Sequence, residues 1–224
     1  MILFSEEHSI VSSHEILGRT CAIFHSVVGC NLHCYKCHNY KELVETRHNL
    51  VTITPKDIIT VYALHADLFD TIVFSGGEFL MYNNNELLKT LSDFKYVFPD
   101  HKIIVYTNGS FPSRIKLLSD EKLVDGFHMD IKFPYIINNN DPQYMHMAKT
   151  VIGKELNDNI IKLFLESIDI IAEYNLPMSL FRTVKYPFFT DEVFQLIKNI
   201  VETYNDKHKV NIPWQLNEFL DAAI

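Results

Sequence analysis

Cys30, Cys34 and Cys37 crowd into the stretch "GCNLHCYKCHNY", and the only other cysteine, Cys21, stands upstream. Thiolates are soft ligands, suited to zinc or to iron–sulfur clusters. The spacing C-x3-C-x2-C on one loop can wrap a single metal centre. A closed structural zinc site takes four ligands, and a [4Fe–4S] cluster is usually held by four cysteines. Three thiolates with no fourth leave one position open, so a cluster held this way has an iron free for an exogenous ligand. The competing arrangement is a Cys3His zinc site completed by His33 or His38. A disulfide fits a cytosolic chain poorly. Cys21 falls inside an apolar run and reads as a buried, inert core residue.

The elements that must position these thiols follow from six β-rich runs: 21–28, 71–75, 102–107, 126–131, 178–184 and 209–216. Most are apolar throughout, the pattern of strands buried on both faces. Helical segments lie between the later runs. Thr54-Pro55-Lys56-Asp57 supplies a cap, a first-turn proline and an acidic first turn. Asn85 is expected to open a helix, as is Ser110 or Ser113. A long helix is expected over 155–174, and Thr190-Asp191-Glu192 is expected to cap another. A βα alternation repeated about six times, with right-handed crossovers, predicts an α/β fold with a parallel sheet. Six units are too few to close a full barrel, so an open partial barrel or a doubly wound sheet is expected. Either form gathers ligands at the carboxyl ends of its strands. Chemistry-bearing residues do follow each run: the cysteines, then Gly76-Gly77-Glu78, then Asn108-Gly109, with Asp130, Lys132, Arg182, Lys185, Gln215 and Asn217 at the later ends.

The 224 residues suffice for one domain, expected to span 1–224 with a core of about 21–216. A net charge of −8 argues against a nucleic-acid groove. The amino terminus turns polar after four residues, unlike a signal peptide, and no uncharged run reaches the ~20 residues of a membrane span. A cytoplasmic protein is expected, with neither nucleic acid nor membrane as partner. The Asn- and Met-rich segment 135–150 shows no clear period and reads as an excursion, either a surface loop or a partner contact.

Taken together, the cysteine motif after the first strand and Gly-Gly-Glu after the second resemble the radical S-adenosylmethionine superfamily. Within it, "GCNLHCYKCHN", "TNG", "DIK" and "FRTV" resemble the activating enzymes of glycyl-radical enzymes, above all that of anaerobic ribonucleotide reductase. The resemblance implies a partial (β/α)6 TIM-like barrel of the radical SAM type. It implies that Cys30, Cys34 and Cys37 bind three irons of a [4Fe–4S] cluster, and that S-adenosylmethionine chelates the fourth. Reductive cleavage would release methionine and a 5′-deoxyadenosyl radical, which would take a hydrogen from a glycine of the partner. A one-electron donor such as flavodoxin or ferredoxin is implied as well. By the same resemblance, Gly76, Gly77 and Glu78 would receive the methionyl ammonium, the glycines letting the backbone approach it. Asp130 and Thr107 would contact the nucleoside, beside Asn108. Lys132 and Arg182 would meet the methionyl carboxylate or the partner. A small-molecule radical enzyme, similar to 7-carboxy-7-deazaguanine synthase, is the competing reading, and a zinc-stabilised binding protein ranks last.

Three residues depart from the pattern of that superfamily. Lys36 stands where an aromatic residue often precedes the third cysteine, Phe79 replaces the usual proline after Gly-Gly-Glu, and Tyr106 replaces an acidic residue before "TNG". None is a cluster ligand. Too few cysteines remain for a second cluster.

Overall fold

A computed structural model describes residues 1–12, 16 and 18–221. Six parallel strands form its centre: β3 (Thr20–Ser26), β5 (Thr71–Gly76), β6 (Lys102–Thr107), β7 (Gly126–Asp130), β8 (Leu180–Val184) and β9 (Trp214–Asn217), side by side in chain order. Sequential order without a switch point is the partial-barrel arrangement, not the doubly wound one. Three short strands, absent from the sequence reading, line the outer edge of β3. They are β1 (Phe4–Ser5), β2 (Ser9–Ser12) and β4 (Thr52–Ile53). Both β1 and β2 pair with β3 antiparallel, and β4 adds to β1. With two to four residues each, they carry no readable period.

Helices cover one face of this sheet. Thr54 is the expected cap of α1 (Pro55–Tyr62), and with Asp57 it forms a capping box. Asn83, not Asn85, caps α2 (Asn84–Val97), its side chain accepting from Glu86 N–H. Neither Ser110 nor Ser113 caps α3 (Pro112–Asp120); Pro112 at its first turn presets the helical φ instead. Asn157 caps α5 (Asp158–Tyr174), which begins three residues inside the expected start. α6 (Asp191–His208) begins after Thr190 as read. It runs to Lys209, which ends it in a left-handed turn. That turn, with Pro213 in the following stretch, shortens the last strand from the expected 209–216 to Trp214–Asn217.

The segment 135–150 is the main correction. From Pro142 to Ile152 it is helix α4, capped by Asp141 through Gln143 N–H at 2.8 Å and ended by Gly153. Its buried residues Tyr144, Ala148, Val151 and Ile152 fall at helical spacing.

Strand alternation separates two faces. Ala22, Phe24, Ile72, Phe74, Ile103, Val105 and Met129 share one core with the helix residues Ile58, Leu91, Phe94 and Ile115. Cys21, Val73 and Ile104 form a small second cluster with Ile23 and Tyr106, which is the barrel interior. Cys21 is fully buried there, as read. Among the described residues no helix is long and apolar enough to cross a membrane.

Candidate active site

At the carboxyl end of β3 the chain leaves the sheet through Gly29 and enters the cysteine loop. The Gly-Gly-Glu turn at the end of β5 packs directly on that exit. A Cβ on Gly77 would stand 1.9 Å from Gly29 O, and one on Gly76 would stand 2.5 Å from Ser26 N and O. Gly76 also has φ +111°, which only glycine adopts without strain. Glu78 N–H donates to Gly29 O at 2.8 Å. The glycines therefore bring the backbones of two strand ends together.

Glu78 is buried at 1% exposure. One carboxylate oxygen accepts from Leu80 N–H at 3.2 Å and from the Thr107 hydroxyl at 2.9 Å, and the other from Asn108 N–H at 2.6 Å. Burial raises its pKa to about 7, against the opposing pull of these donors. Its carboxylate ties the β5 turn to the β6 turn. Asn108 completes the connection: its side-chain amide donates to Asn31 Oδ1 at 2.9 Å and lies 3.8 Å from Cys30 Sγ. Asn108 thus sits beside the cysteine loop, with Thr107 behind it on Glu78, and Asn31 is a contact that the sequence reading missed. Asn39 is another, its amide 3.5 Å from Gly76 O.

Within the loop, Leu32 N–H points at Cys30 Sγ at 3.5 Å, and Cys37 N–H donates to Cys34 O at 3.1 Å. Burial pushes the Cys34 thiol up to about 11, with Lys132 pulling it down and Cys37 and Cys30 raising it further. Burial also raises Cys30. Each thiol must lose its proton to ligate, so loading would release protons.

At the ends of β7 and β8, Asp130 holds two cations at once. Its carboxylate oxygens lie 3.0 Å from Lys132 Nζ and 2.8 Å from Arg182 Nη2. Burial works against the Lys132 charge, but Asp130, Cys34 and Tyr186 outweigh it and hold the ammonium well above its usual range. The Arg182 guanidinium lies 4.1 Å from the centre of the Tyr106 ring, which stacks on His128 at 5.0 Å. Tyr106 thus supplies a π face to a cation where the superfamily pattern has a carboxylate. In the strand register, His25 pairs with Ser75, Tyr106 with His128, and Asp130 with Arg182. Alternation turns these residues inward, so the mouth end of the interior is polar where a filled barrel would carry Val, Ile and Leu.

The other departures have structural reasons. Phe79 is fully buried and stacks on Phe74 at 5.0 Å, so it extends the core in place of the proline. Lys36 takes a left-handed turn at φ +45° and pairs with Asp221 at 2.6 Å. Tyr35 packs edge-on against Phe188 at 5.3 Å and stacks on Phe219 at 6.0 Å.

The donor set can be tested against the two metal readings. A single zinc gathers its thiolates at about 2.3 Å, hence within roughly 4 Å of one another. Among the described residues no three His, Cys, Asp or Glu side chains are gathered so as to hold one ion. His33, a candidate fourth ligand, lies flat on Tyr40 with ring centres 3.8 Å apart. Thiols spread along one loop at a strand-end mouth fit a cluster, whose thiolates sit on separate irons. Two surface clefts, of about 430 Å³ beside Asn83 and Arg114 and about 380 Å³ beside Pro134 and Leu196, contain none of these residues.

A partial parallel barrel with three thiols on the loop after its first parallel strand defines a class of cluster-dependent enzymes. The chain belongs to the Radical SAM superfamily, which it matches over residues 25–200. Enzymes of this superfamily use a [4Fe–4S] cluster and S-adenosylmethionine. Over 180 residues the chain is 28% identical to a Methanocaldococcus jannaschii protein described as a "putative glycyl-radical enzyme activating enzyme", covering 80% of this chain. The match spans 66% of that relative's length. The crystal structure of QueE from Escherichia coli superposes on 99% of this chain and 86% of its own, with a TM-score of 0.55 and 11% identity. That likeness shows the fold.

Proposed function

We propose that this enzyme is an activase that generates a glycyl radical on a partner protein, with Cys30, Cys34 and Cys37 holding the cluster. The observation that carries the reading is the "GCNLHCYKCHN" loop at the barrel mouth. The description of the archaeal relative supports the same reading. When bound, the cluster would pass one electron to S-adenosylmethionine and so supply a 5′-deoxyadenosyl radical.

The chain's own residues would do the positioning. Arg182 and Lys132, held together by Asp130, would face the methionyl carboxylate, Arg182 kept flat by Tyr106. The carbonyl of Gly76 would receive the ammonium. Glu78, Thr107 and Asn108 would hold the strand-end turns around the cluster loop rather than touch the ligand. The partner in this reading is an anaerobic ribonucleotide reductase, on the resemblance of the motif, and the electron donor a flavodoxin or ferredoxin. The polar interior at His25, Ser75 and His128 favours one other reading, a small polar substrate taken inside the barrel.

Anaerobic reconstitution tests the proposal. A broad band near ~400 nm with about four irons per chain is expected. A reductant and S-adenosylmethionine should then release 5′-deoxyadenosine, and a glycyl-radical enzyme added to the mixture should acquire a stable radical visible by electron paramagnetic resonance. Cleavage without any radical on such partners would sink the activase reading. A colourless chain holding one zinc would sink the cluster assignment.

A further inference from the structure

The backbone of the cysteine loop is gripped at alternate residues by the end of one helix. His33 N–H donates to Ile152 O at 2.9 Å, and Tyr35 N–H donates to Val151 O at 3.0 Å. Lys154 Nζ reaches Asn31 O at 3.3 Å. The accepting carbonyls belong to the last turn of α4, where a helix has carbonyls without partners inside itself. Gly153 then turns the chain in the left-handed region, with φ +69°. A Cβ at Gly153 would stand 1.9 Å from His33 O and 2.6 Å from His33 Cβ. Left-handed backbone alone would admit asparagine, but this contact admits no side chain. Hydrogen bonding and steric fit thus join the same turn to the same span, Asn31 to Tyr35, with His33 and Tyr35 held on either side of Cys34.

We propose that the turn Val151–Lys154 sets the spacing of Cys30 and Cys34 for the cluster, with Gly153 as its positioning residue. This rests on the three cysteines holding the cluster. Cys30 is fixed from the barrel side, where Gly29 meets Glu78 and Asn31 meets Asn108. Cys34 is fixed from the α4 side. The distance between the two thiols is therefore set by where α4 packs against the barrel, before any metal arrives. A loop already ordered loses less conformational entropy on ligation. Outer contacts that orient metal ligands are worth about 10–100-fold in metal affinity.

The test uses Gly153→Ala and Gly153→Asn. Asparagine tolerates the backbone angle, so its defect isolates the contact with His33. Gly18→Ala is the control, a left-handed glycine at φ +77° with nothing within 4 Å of its added Cβ. After anaerobic reconstitution, iron and sulfide per chain, cluster loss to a chelator, and the electron paramagnetic resonance spectrum and midpoint potential of the reduced cluster are measured. Both Gly153 variants should keep the helical circular dichroism of the wild type. They should lose the cluster roughly tenfold more readily and show a shifted spectrum and potential; Gly18→Ala should match the wild type. Full loading with unchanged spectrum, potential and chelator resistance in both Gly153 variants overturns the proposal. Should those variants fail to fold, amide exchange in the metal-free wild type decides. His33 and Tyr35 amides should be protected, and exchange as fast as in an unstructured chain overturns the proposal. A wild type that takes up no iron defeats the cysteine assignment itself, and the proposal with it.

Discussion

Glu78 gives the stability of this chain a distinctive pH dependence. Its carboxyl is buried, and burial lifts its pKa from 4.5 to about 7 in spite of three hydrogen-bond donors. The folded chain therefore binds this proton more tightly than the unfolded chain. Between the two values the native state carries more protons, so stability falls as pH rises and levels off above the folded pKa. At 1.36 kcal/mol per unit the full shift is worth about 3 kcal/mol, most of it lost between about pH 5 and about pH 8. Glu78→Gln cannot ionise. Its oxygen can still accept from Thr107 and Leu80, but its amide faces the N–H of Asn108, a mismatch costing about 1–3 kcal/mol at every pH. The variant should be less stable than the wild type near pH 5 and should match or exceed it near pH 8. Urea unfolding of the metal-free, reduced chain, followed by circular dichroism across that range, measures the difference. Histidines and surface carboxylates cancel between the two proteins. A difference constant within about 0.5 kcal/mol, the scatter of ordinary surface substitutions, would refute the reasoning. So would one that widens in favour of the wild type as pH rises.

Cys34→Ala should abolish cluster uptake and S-adenosylmethionine cleavage while the helical circular dichroism persists; retained cleavage would remove Cys34 from the ligand set. Phe79→Ala should cost about 3–5 kcal/mol in urea unfolding, because a fully buried ring stacked on Phe74 leaves a cavity beside the Gly-Gly-Glu turn. Tyr106→Leu removes the face 4.1 Å from Arg182 and should raise the KM for S-adenosylmethionine several-fold, from an interaction of about 1–2 kcal/mol, with Tyr106→Phe close to wild type. An unchanged KM in Tyr106→Leu would separate that stack from ligand binding.

Much of this was legible locally. The cysteine spacing, the capping box at Thr54 and Asp57, and the βα alternation each depend on residues a few positions apart, and each appears in the structure. The α4 helix was legible too, through Asp141-Pro142 and the spacing of Tyr144, Ala148, Val151 and Ile152. The preceding run of asparagines masked that period. The edge strands beside β3 were not legible, because strands of two to four residues carry no alternation and exist only through their pairing.

The sequence by itself determined which chemistry the loop can do. Three thiols at short spacing remain neighbours in any compact fold, and strand-end polar residues collect at one mouth once the sheet is parallel. Tertiary structure alone decided what those residues touch. Glu78 meets Asn108 across 30 residues, and Lys154 meets Asn31 across 123. Asp130 binds Arg182 from the neighbouring strand. Gly77 is glycine because Gly29 lies against it, and Gly153 because His33 does. Such contacts depend on how distant elements pack, and no local propensity or periodicity encodes them.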